Sequence, residues 1–256
     1  MTANERVPIS IELVPRSTES IEAELNVIRD KFPRVSAVNI PDLLKFETRS
    51  WDGCAAALVS GAVRRAIPHV RAMDFRVRDA FSLVERLRER GLREVLVVRG
   101  DAPQDMRRPV YPTSSAELIR ELTRLEPGLT LYAAFDPYRH GLRTELEGVA
   151  EKIDAGARGF FSQPLFDLRL VEMCAEQLAS YADTDVYWGV APVIREASRR
   201  YWEVKNRAVF PNGFEPTLEW NRSFAKECLA WAENNEQALY FMPIRVDLAS
   251  YLGGIL

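Results

Sequence analysis

A glutamate lies inside an apolar strand near the start of the chain. Residues alternate with period two from Val7 to Val14, so that Ser10, Glu12 and Val14 share one face. Both faces are largely apolar, which indicates a strand covered on both sides, as in a parallel sheet or barrel. A buried carboxylate is costly unless it is paired or functional. Either a buried Arg or His partners Glu12, or Glu12 is a proton donor whose pKa burial has raised.

Length and composition restrict the class of protein. The chain of 256 residues could form one α/β barrel or two smaller domains. Its formal net charge of −3, from 34 basic and 37 acidic residues, gives no global field that favours nucleic acid. No apolar stretch is typical of a signal peptide or a membrane span. The cysteines (Cys54, Cys174 and Cys228) and the histidines (His69 and His140) lack the spacing of metal ligands, so we expect no metal site. These features predict a cytoplasmic protein with reduced thiols.

Strand-like and helix-like stretches alternate along the chain. Eight stretches have the composition of strands: Val7–Val14, Val35–Asn39, Ala66–Ala72, Glu94–Val98, Thr130–Phe135, Gly159–Gln163, Val186–Val190 and Ala238–Met242. Amphipathic helical patterns lie between them, as over Arg76–Arg90 and Leu142–Ala155. This alternation, with no repeat and no linker, predicts a single α/β domain over residues 1–256, folded as a (β/α)8 TIM barrel. A doubly wound open sheet is the alternative, although the absence of a GxGxxG motif counts against it.

Polar residues follow the predicted strands at the end where barrel enzymes hold their active sites. Seven of the eight strands end with, or lie shortly before, a polar or charged side chain: Glu12, Asn39, His69, Asp101, Asp136, Gln163 and Arg245. The carboxyl ends of barrel strands meet at one rim, so these side chains would converge. Loops are polar in any protein, but Glu12, His69 and Gln163 lie within or directly after apolar runs. The pattern therefore favours an enzyme over a structural protein.

Two short segments on this rim could contact a flat heterocycle. Arg99-Gly100-Asp101 follows an apolar strand, and its glycine would let a ring approach the backbone while Asp101 accepts hydrogen bonds from ring N–H groups. An ordinary turn with an exposed aspartate is the plainer interpretation of this segment. Gln163 can donate and accept together, which suits the edge of an amide-like ring such as a pterin.

The order of several motifs resembles the methylenetetrahydrofolate reductase family. The chain contains, in sequence order, SIELVPR, PHVRAMD, VVRGDAP, LYAAFDPYRH, EKIDAGARGFFSQPLFD, WGVAPV and YFMPIR. The most specific part is the DAGA segment followed by Ser-Gln and then Phe-Asp. The glutamate of the first strand and the RGD after the fourth support it. The resemblance runs from about Ser10 to Arg245.

This resemblance implies an oxidoreductase of one-carbon metabolism that converts 5,10-methylenetetrahydrofolate to 5-methyltetrahydrofolate, a step that serves methionine biosynthesis. Hydride would pass from NAD(P)H through FAD to the folate. Glu12 matches the family's general acid, which protonates a folate nitrogen so that the ring opens to an iminium that hydride then reduces. Asp101 matches an aspartate near the flavin and the folate. Gln163 and Arg245 match positions on the folate side.

The resemblance also implies a set of flavin-contacting positions: Asn39, His69, Arg99, Gly100, Asp101, Ala133, Phe135, His140 and Lys152. Two of them depart from the family. Asn39 begins the segment Asn39-Ile40-Pro41-Asp42, where the family usually has a Thr-Tyr-Gly type segment, and Phe135 replaces a tyrosine. A phenylalanine that stacks on folate and nicotinamide in the family falls at Glu196.

These departures leave the role of FAD open. A reductase on the same barrel could bind NAD(P)H directly and transfer hydride without flavin. The barrel could also be a non-catalytic folate-binding subunit, although the presence of both Glu12 and Asp101 argues against that. We expect a small-molecule folate partner and neither nucleic acid nor membrane. A homo-oligomer and a partner subunit that delivers electrons both stay open, as does the choice between NADH and NADPH.

Overall fold

The computed structural model describes residues 7–101, 109–181 and 184–256, and eight parallel strands of this part form a closed barrel. They are β1 Ile9–Glu12, β2 Ala37–Ile40, β3 Arg65–Arg71, β4 Glu94–Val98, β5 Thr130–Phe135, β6 Gly159–Pro164, β7 Asp185–Val190 and β8 Ala238–Phe241. β1 pairs with both β2 and β8, so the sheet has no edge. The predicted (β/α)8 barrel is confirmed, and the open sheet was wrong. The last two residues of the VVRGDAP motif, Ala102 and Pro103, lie outside the described residues.

Helices cover the outside of the barrel. They are α1 Thr18–Lys31, α2 Ser50–Ser60, α3 Ala80–Glu89, α4 Ser115–Leu125, α5 Leu142–Ala155, α6 Leu168–Leu178, α7 Glu196–Lys205, α8 Leu218–Asn234 and α9 Leu248–Leu252. Local sequence sets several of their ends. Ser17 and Asp167 accept hydrogen bonds from backbone N–H groups as N-caps, and Ser114 forms a capping box with Glu117. Gly156 ends α5 in the left-handed conformation.

Alternate residues of each strand face two different environments. Side chains that point outward, such as Ile11, Val97 and Phe135, are fully buried beneath the helices. The inward side chains form a second apolar cluster: Ala37, Ile67, Leu96, Tyr132, Phe161, Tyr187, Ala238 and Tyr240. In that cluster Phe161 stacks on Tyr187, with ring centroids 4.5 Å apart. The interior is therefore filled by aromatic rings and is not a channel.

An ion pair closes the amino-terminal end of the barrel. Arg65 of β3 donates two hydrogen bonds to Glu94 of β4, at 2.8 and 2.5 Å. The same guanidinium donates to the hydroxyls of Tyr187 and Tyr132, at 2.7 and 2.8 Å. We call these four side chains the Arg65 network. Because it lies where β3 and β4 begin, the Arg65 network is at the end of the barrel opposite the predicted site.

A further apolar cluster covers the carboxyl ends of β6, β7 and β8. Phe166, Trp202 and Phe214 are its buried aromatic members, and Phe210 stacks on Phe166 with centroids 4.4 Å apart. Trp202 belongs to α7, which the sequence patterns did not predict. In the described part of the chain, no helix combines the length and apolarity needed to cross a membrane.

Candidate active site

Three interior side chains on neighbouring strands form a hydrogen-bonded cluster at the carboxyl rim. Glu12 of β1 lies beside Asn39 of β2 in the sheet register. The side-chain amide of Asn39 donates to Oε2 of Glu12 at 3.2 Å and contacts Nε2 of His69 at 3.1 Å. The hydroxyl of Ser10, two residues before Glu12 on the same face, donates to Oδ1 of the Asn39 side chain at 2.8 Å. Asn39 therefore connects three strands and orients the carboxyl group.

Burial determines the protonation states in this cluster. Glu12 is 9 % exposed, and burial raises its pKa to about 8 although the hydrogen bond from Asn39 lowers it. Burial lowers the pKa of His69 to about 3. Nε2 of His69 and Oε2 of Glu12 are 4.0 Å apart, but at neutral pH both groups are neutral and the contact is not an ion pair. Oε2 accepts from Asn39, and Oε1 is the oxygen of Glu12 that this hydrogen bond leaves available.

Tyr240 of β8 closes the barrel interior near Glu12. Its ring is 5 % exposed, and its hydroxyl donates to the carbonyl of Ser162. Burial raises the pKa of Tyr240, and the charges of Glu12 and Asp136 raise it further. Gly189 makes room for the ring, because a Cβ there would lie 2.8 Å from a ring carbon. The acid therefore has an aromatic, largely dry environment on the interior side, which explains its raised pKa.

A bulge in β6 places Ser162 and Gln163 on the rim. The register between β6 and β7 shifts between Phe161 and Pro164, so one extra residue is inserted in β6. The Ser162 hydroxyl accepts a hydrogen bond from the Gly189 N–H at 2.8 Å, which fixes the bulge. Gln163 is half-buried in it. The predicted pterin contact thus lies at an irregular point of the strand, as is common near active sites.

A cavity of about 500 Å³ opens beside the cluster at the ends of β2, β3 and β4. We call it the β2–β4 cavity. It is lined by Pro41, Asp42, Leu43, Leu44, Lys45, His69, Arg71, Val98, Gly100 and Asp101. Because His69 is both a lining residue and a partner of Asn39, a ligand in this cavity would lie next to the hydrogen-bonded cluster of Glu12.

The side chain of Arg71 occupies the space that the missing Cβ of Gly100 leaves open. Gly100 has φ +87°, and a Cβ there would lie 2.6 Å from Nε of Arg71 and 3.2 Å from Cγ of Met73. Arg71 is held in this place because its Nη2 donates to the Asp101 carbonyl at 2.5 Å. The guanidinium thus covers one side of the glycine, where a flat ring was predicted to approach. Asp101 itself is exposed on the rim.

The other predicted flavin contacts lie outside the β2–β4 cavity, and some are already bound to other groups. The Ala133 and Phe135 side chains belong to the outer core, and Phe135 packs on Trp188 with centroids 6.3 Å apart. Lys152 donates to the Ala134 carbonyl at 2.8 Å and pairs with Glu145 at 3.3 Å. Arg99 and His140 are exposed, as is Arg245, which lies after β8 with φ +58°.

These positions decide how well a flavin fits the barrel. One side of Gly100 is filled by Arg71, and Lys152, a half-buried cation expected on the flavin side, already has two partners. A flavin therefore has no access to that side of Gly100, whereas His69, Gly100 and Asp101 still line the open β2–β4 cavity.

Three side chains that shape the site were not among the predicted site residues: Ser10, Arg71 and Tyr240. Ser10 and Arg71 each lie two residues from a predicted site residue on the same strand. Period-two alternation placed Ser10 on the face of Glu12 and would equally have placed Arg71 on the face of His69. The contact of Tyr240 with Ser162 depends on the bulge in β6, for which the sequence gives no signal. Among the described residues no group of three or more His, Cys, Asp or Glu could hold a metal ion.

By its fold and site, the protein is a (β/α)8 barrel with a buried acid at its carboxyl rim. Comparison with known sequences gives its family. A family model described as methylenetetrahydrofolate reductase matches residues 1–218. The chain belongs to the methylenetetrahydrofolate reductase family.

Curated relatives agree with this assignment. The 5,10-methylenetetrahydrofolate reductases of Pectobacterium carotovorum subsp. carotovorum and Escherichia coli (strain K12) are 27% and 24% identical over 133 residues. The match covers 50% of this chain and 44% of each relative, so the chain matches less than half of their length.

Solved structures share the barrel. An uncharacterized protein from Clostridium thermocellum, described as binding two copies of 5-methyl-5,6,7,8-tetrahydrofolic acid, has a TM-score of 0.66 at 13% identity. That alignment covers 98% of this chain and 93% of the other. A 2,3-dimethylmalate lyase of the PEP mutase/isocitrate lyase superfamily has a TM-score of 0.61 at 10% identity, covering 94% of this chain and 76% of the other. At these identities the likeness shows the fold alone.

Proposed function

We propose that this protein reduces 5,10-methylenetetrahydrofolate to 5-methyltetrahydrofolate, with Glu12 as the proton donor and NAD(P)H as the direct source of hydride. The observation that carries the proposal is the neutral, buried carboxyl group of Glu12, whose pKa of about 8 keeps it protonated at neutral pH. Family membership and the folate described for the Clostridium thermocellum protein support the substrate.

The reaction needs one proton and one hydride. Glu12 donates its proton from Oε1 to a nitrogen of the five-membered folate ring, and the C–N bond to the bridging methylene breaks, leaving an iminium on the other nitrogen. Hydride from the dihydronicotinamide then adds to the iminium carbon and gives the methyl group, while the nicotinamide is oxidised. Glu12 regains its proton from water through the open rim. Asn39 holds the carboxyl group throughout, because its amide bonds to Oε2 and leaves Oε1 free to donate.

Direct transfer is proposed because Arg71 fills the side of Gly100 where a flat ring was predicted to approach. A flavin relay, which the family resemblance implies, makes a different isotopic prediction. The hydrogen on N5 of a reduced flavin exchanges with water, whereas hydride passed directly from C4 of the nicotinamide does not. NAD(P)H carrying deuterium at C4, incubated with methylenetetrahydrofolate, should yield methyltetrahydrofolate whose methyl group retains the label, measured by mass spectrometry.

The wild-type protein should also be colourless after purification. A bound yellow cofactor, or a methyl group that has lost the label to water, would contradict direct transfer and restore the FAD mechanism. Binding of folate without turnover, with either nucleotide, would instead support the non-catalytic subunit.

Glu12→Gln tests the proton donor. The variant keeps the volume and accepts the hydrogen bond from Asn39, but it has no transferable proton. We expect turnover to fall on the order of a hundredfold or more while folate affinity is retained. Glu147→Gln is the matched control, because Glu147 is an exposed glutamate of α5 outside the site. If Glu12→Gln turned over normally, Glu12 would be only a structural residue.

A further inference from the structure

Arg71 is a buried cation that the proposed proton and hydride steps do not use. Its side chain is 7 % exposed and lines the β2–β4 cavity. Nη2 donates to the Asp101 carbonyl at 2.5 Å and to Sδ of Met73 at 3.2 Å, and lies 3.6 Å from Asp74. Nε is buried and has no hydrogen-bond partner. A buried donor without an acceptor is costly, and this one packs against Gly100, so a shift of the side chain that brings the N–H to an oxygen ligand would remove that cost.

A second cation lies on the same cavity. Lys45 is exposed on the β2–α2 loop and also lines the cavity. The carboxylate of Asp42 on this loop is already bound, since Arg49 donates two hydrogen bonds to it at 3.0 and 2.6 Å. The exposed carboxylate of Asp101 is the remaining anion among the lining residues. At the inner end Arg71 is paired with Asp74, which is not one of the lining residues, and the outer rim carries the opposite charges of Lys45 and Asp101.

The position of the cavity relative to Glu12 indicates which ligand it serves. The positions expected to contact folate, Gln163 and Arg245, follow β6 and β8. The β2–β4 cavity lies on the other side of Glu12, which is on β1 between β8 and β2. It is joined to the acid through His69 and Asn39. A ligand bound there and a folate on the β6–β8 side would meet at Glu12.

We propose that the β2–β4 cavity binds a phosphate group of the reduced nicotinamide dinucleotide, with Arg71 and Lys45 as its cationic ligands. This inference rests on the proposed function, because it assigns NAD(P)H, the second substrate of that reaction, to the β2–β4 cavity. Arginine and lysine are the cations that bind phosphate oxygens in proteins, and the buried Nε of Arg71 has no existing hydrogen bond to lose when the side chain moves to a ligand. The side chain that fills one side of Gly100 thus serves as the anchor of the nucleotide.

The test compares hydride donors with and without phosphate. The variant is Arg71→Gln, and the matched control is Arg93→Gln, an exposed arginine directly before β4 at the opposite end of the barrel. The phosphate-free donor is 1-benzyl-1,4-dihydronicotinamide. We expect Arg71→Gln to raise KM for NAD(P)H by about 10- to 100-fold, the scale of a charge-assisted hydrogen bond. With the phosphate-free donor the rise in KM should be several-fold smaller, so the ratio of the two changes in KM reports the phosphate contact.

Binding measurements give a readout that is independent of turnover. Calorimetry with ADP-ribose, which has the diphosphate but no nicotinamide, should show the same loss of affinity for Arg71→Gln and none for Arg93→Gln. Lys45→Gln is a second variant, which serves if Arg71→Gln does not fold. Its affinity for ADP-ribose should fall by a smaller factor, about 3- to 10-fold, because Lys45 is exposed. A wild-type protein that binds ADP-ribose but does not reduce folate would contradict the proposed function and leave the phosphate site standing.

Three results would overturn the phosphate site. Equal losses with NAD(P)H and with the phosphate-free donor would make Arg71 a structural residue. Unchanged affinity for ADP-ribose in both variants would place the phosphates elsewhere. A weakened affinity for folate polyglutamate relative to the monoglutamate, with ADP-ribose binding unchanged, would assign the cations to the folate carboxylates.

Discussion

At the scale of single residues, Asn39 controls the acid that the proposed reaction needs. Its amide hydrogen bond lowers the pKa of Glu12 against the larger effect of burial. In Asn39→Ala that bond is lost, so the pKa of Glu12 should rise above about 8, and the fall in kcat/KM at alkaline pH should move to higher pH. Ser10 and His69 also lose a buried partner, so the free energy of unfolding should decrease by about 1–3 kcal/mol.

The pH profile of kcat/KM and urea denaturation measure these two effects separately. Asn26→Ala is the control, because Asn26 is an exposed asparagine of α1 outside the site. An alkaline limb that stays in place in Asn39→Ala would show that the limb does not report Glu12. A limb that moves to lower pH would contradict the direction of the hydrogen-bond effect.

The sequence predicted some residues of the site because their signals are local. Glu12 and His69 were identifiable as polar residues in apolar strands, and the structure connects them through Asn39. The role of Gly100 was not predictable, because a glycine permits close approach without indicating what approaches. Arg71 and Gly100 come together only when β3 and β4 pair, which is a tertiary fact.

At the scale of elements, the two ends of the barrel have different tasks. The Arg65 network closes the amino-terminal end, far from the rim with Glu12. Arg65 and Glu94 are 31 % and 16 % exposed, so solvent weakens their attraction less than that of a surface pair. Glu94→Gln removes the anion but leaves the cation among the hydroxyls of Tyr132 and Tyr187. We expect the free energy of unfolding to decrease by about 1–3 kcal/mol, with kcat and KM unchanged.

Chemical denaturation of Glu94→Gln alongside Glu147→Gln checks this expectation. Glu147 pairs with Arg143 at 3.6 Å, but both are strongly exposed, so its loss should cost at most about 0.5 kcal/mol. Equal effects of the two substitutions would mean that the Arg65 network contributes no more than a surface pair. A loss of turnover in Glu94→Gln would show that the two ends of the barrel are coupled.

The elements themselves were predictable to different degrees. All eight strands were found, because strands buried on both faces are short apolar runs that turn residues interrupt. The helix α7 was missed, since Trp202 is its one buried residue and it has no apolar stripe. The bulge in β6 was missed as well, because it exists only in the pairing with β7.

At the scale of the whole molecule, the buried groups of the site change the free energy of unfolding in two ranges of pH. Glu12 acts in one range and His69 in the other. The folded-state pKa of Glu12, about 8, is above its value of 4.5 when unfolded. Between these values the folded protein holds a proton that the unfolded chain releases, so the free energy of unfolding falls as pH rises from about 4.5 to 8. For His69 the folded value, about 3, is below 6.5. Its contribution is therefore present above pH 6.5 and is lost as pH falls toward 3.

Glu12→Gln separates the two contributions. The variant cannot titrate at this position, so its stability should no longer fall between pH 5 and 8, and at pH 8 it should exceed that of the wild type. The shift in pKa corresponds to an effect on the order of 4 kcal/mol. The acid limb from His69 should be unchanged in Glu12→Gln and should disappear in His69→Gln. Urea denaturation from pH 4 to pH 9 measures both limbs. The free energy of unfolding could instead change with pH between 5 and 8 in the same way in the wild type and in Glu12→Gln. That result would mean that Glu12 is ionised in the folded protein. The site would then have no proton to donate.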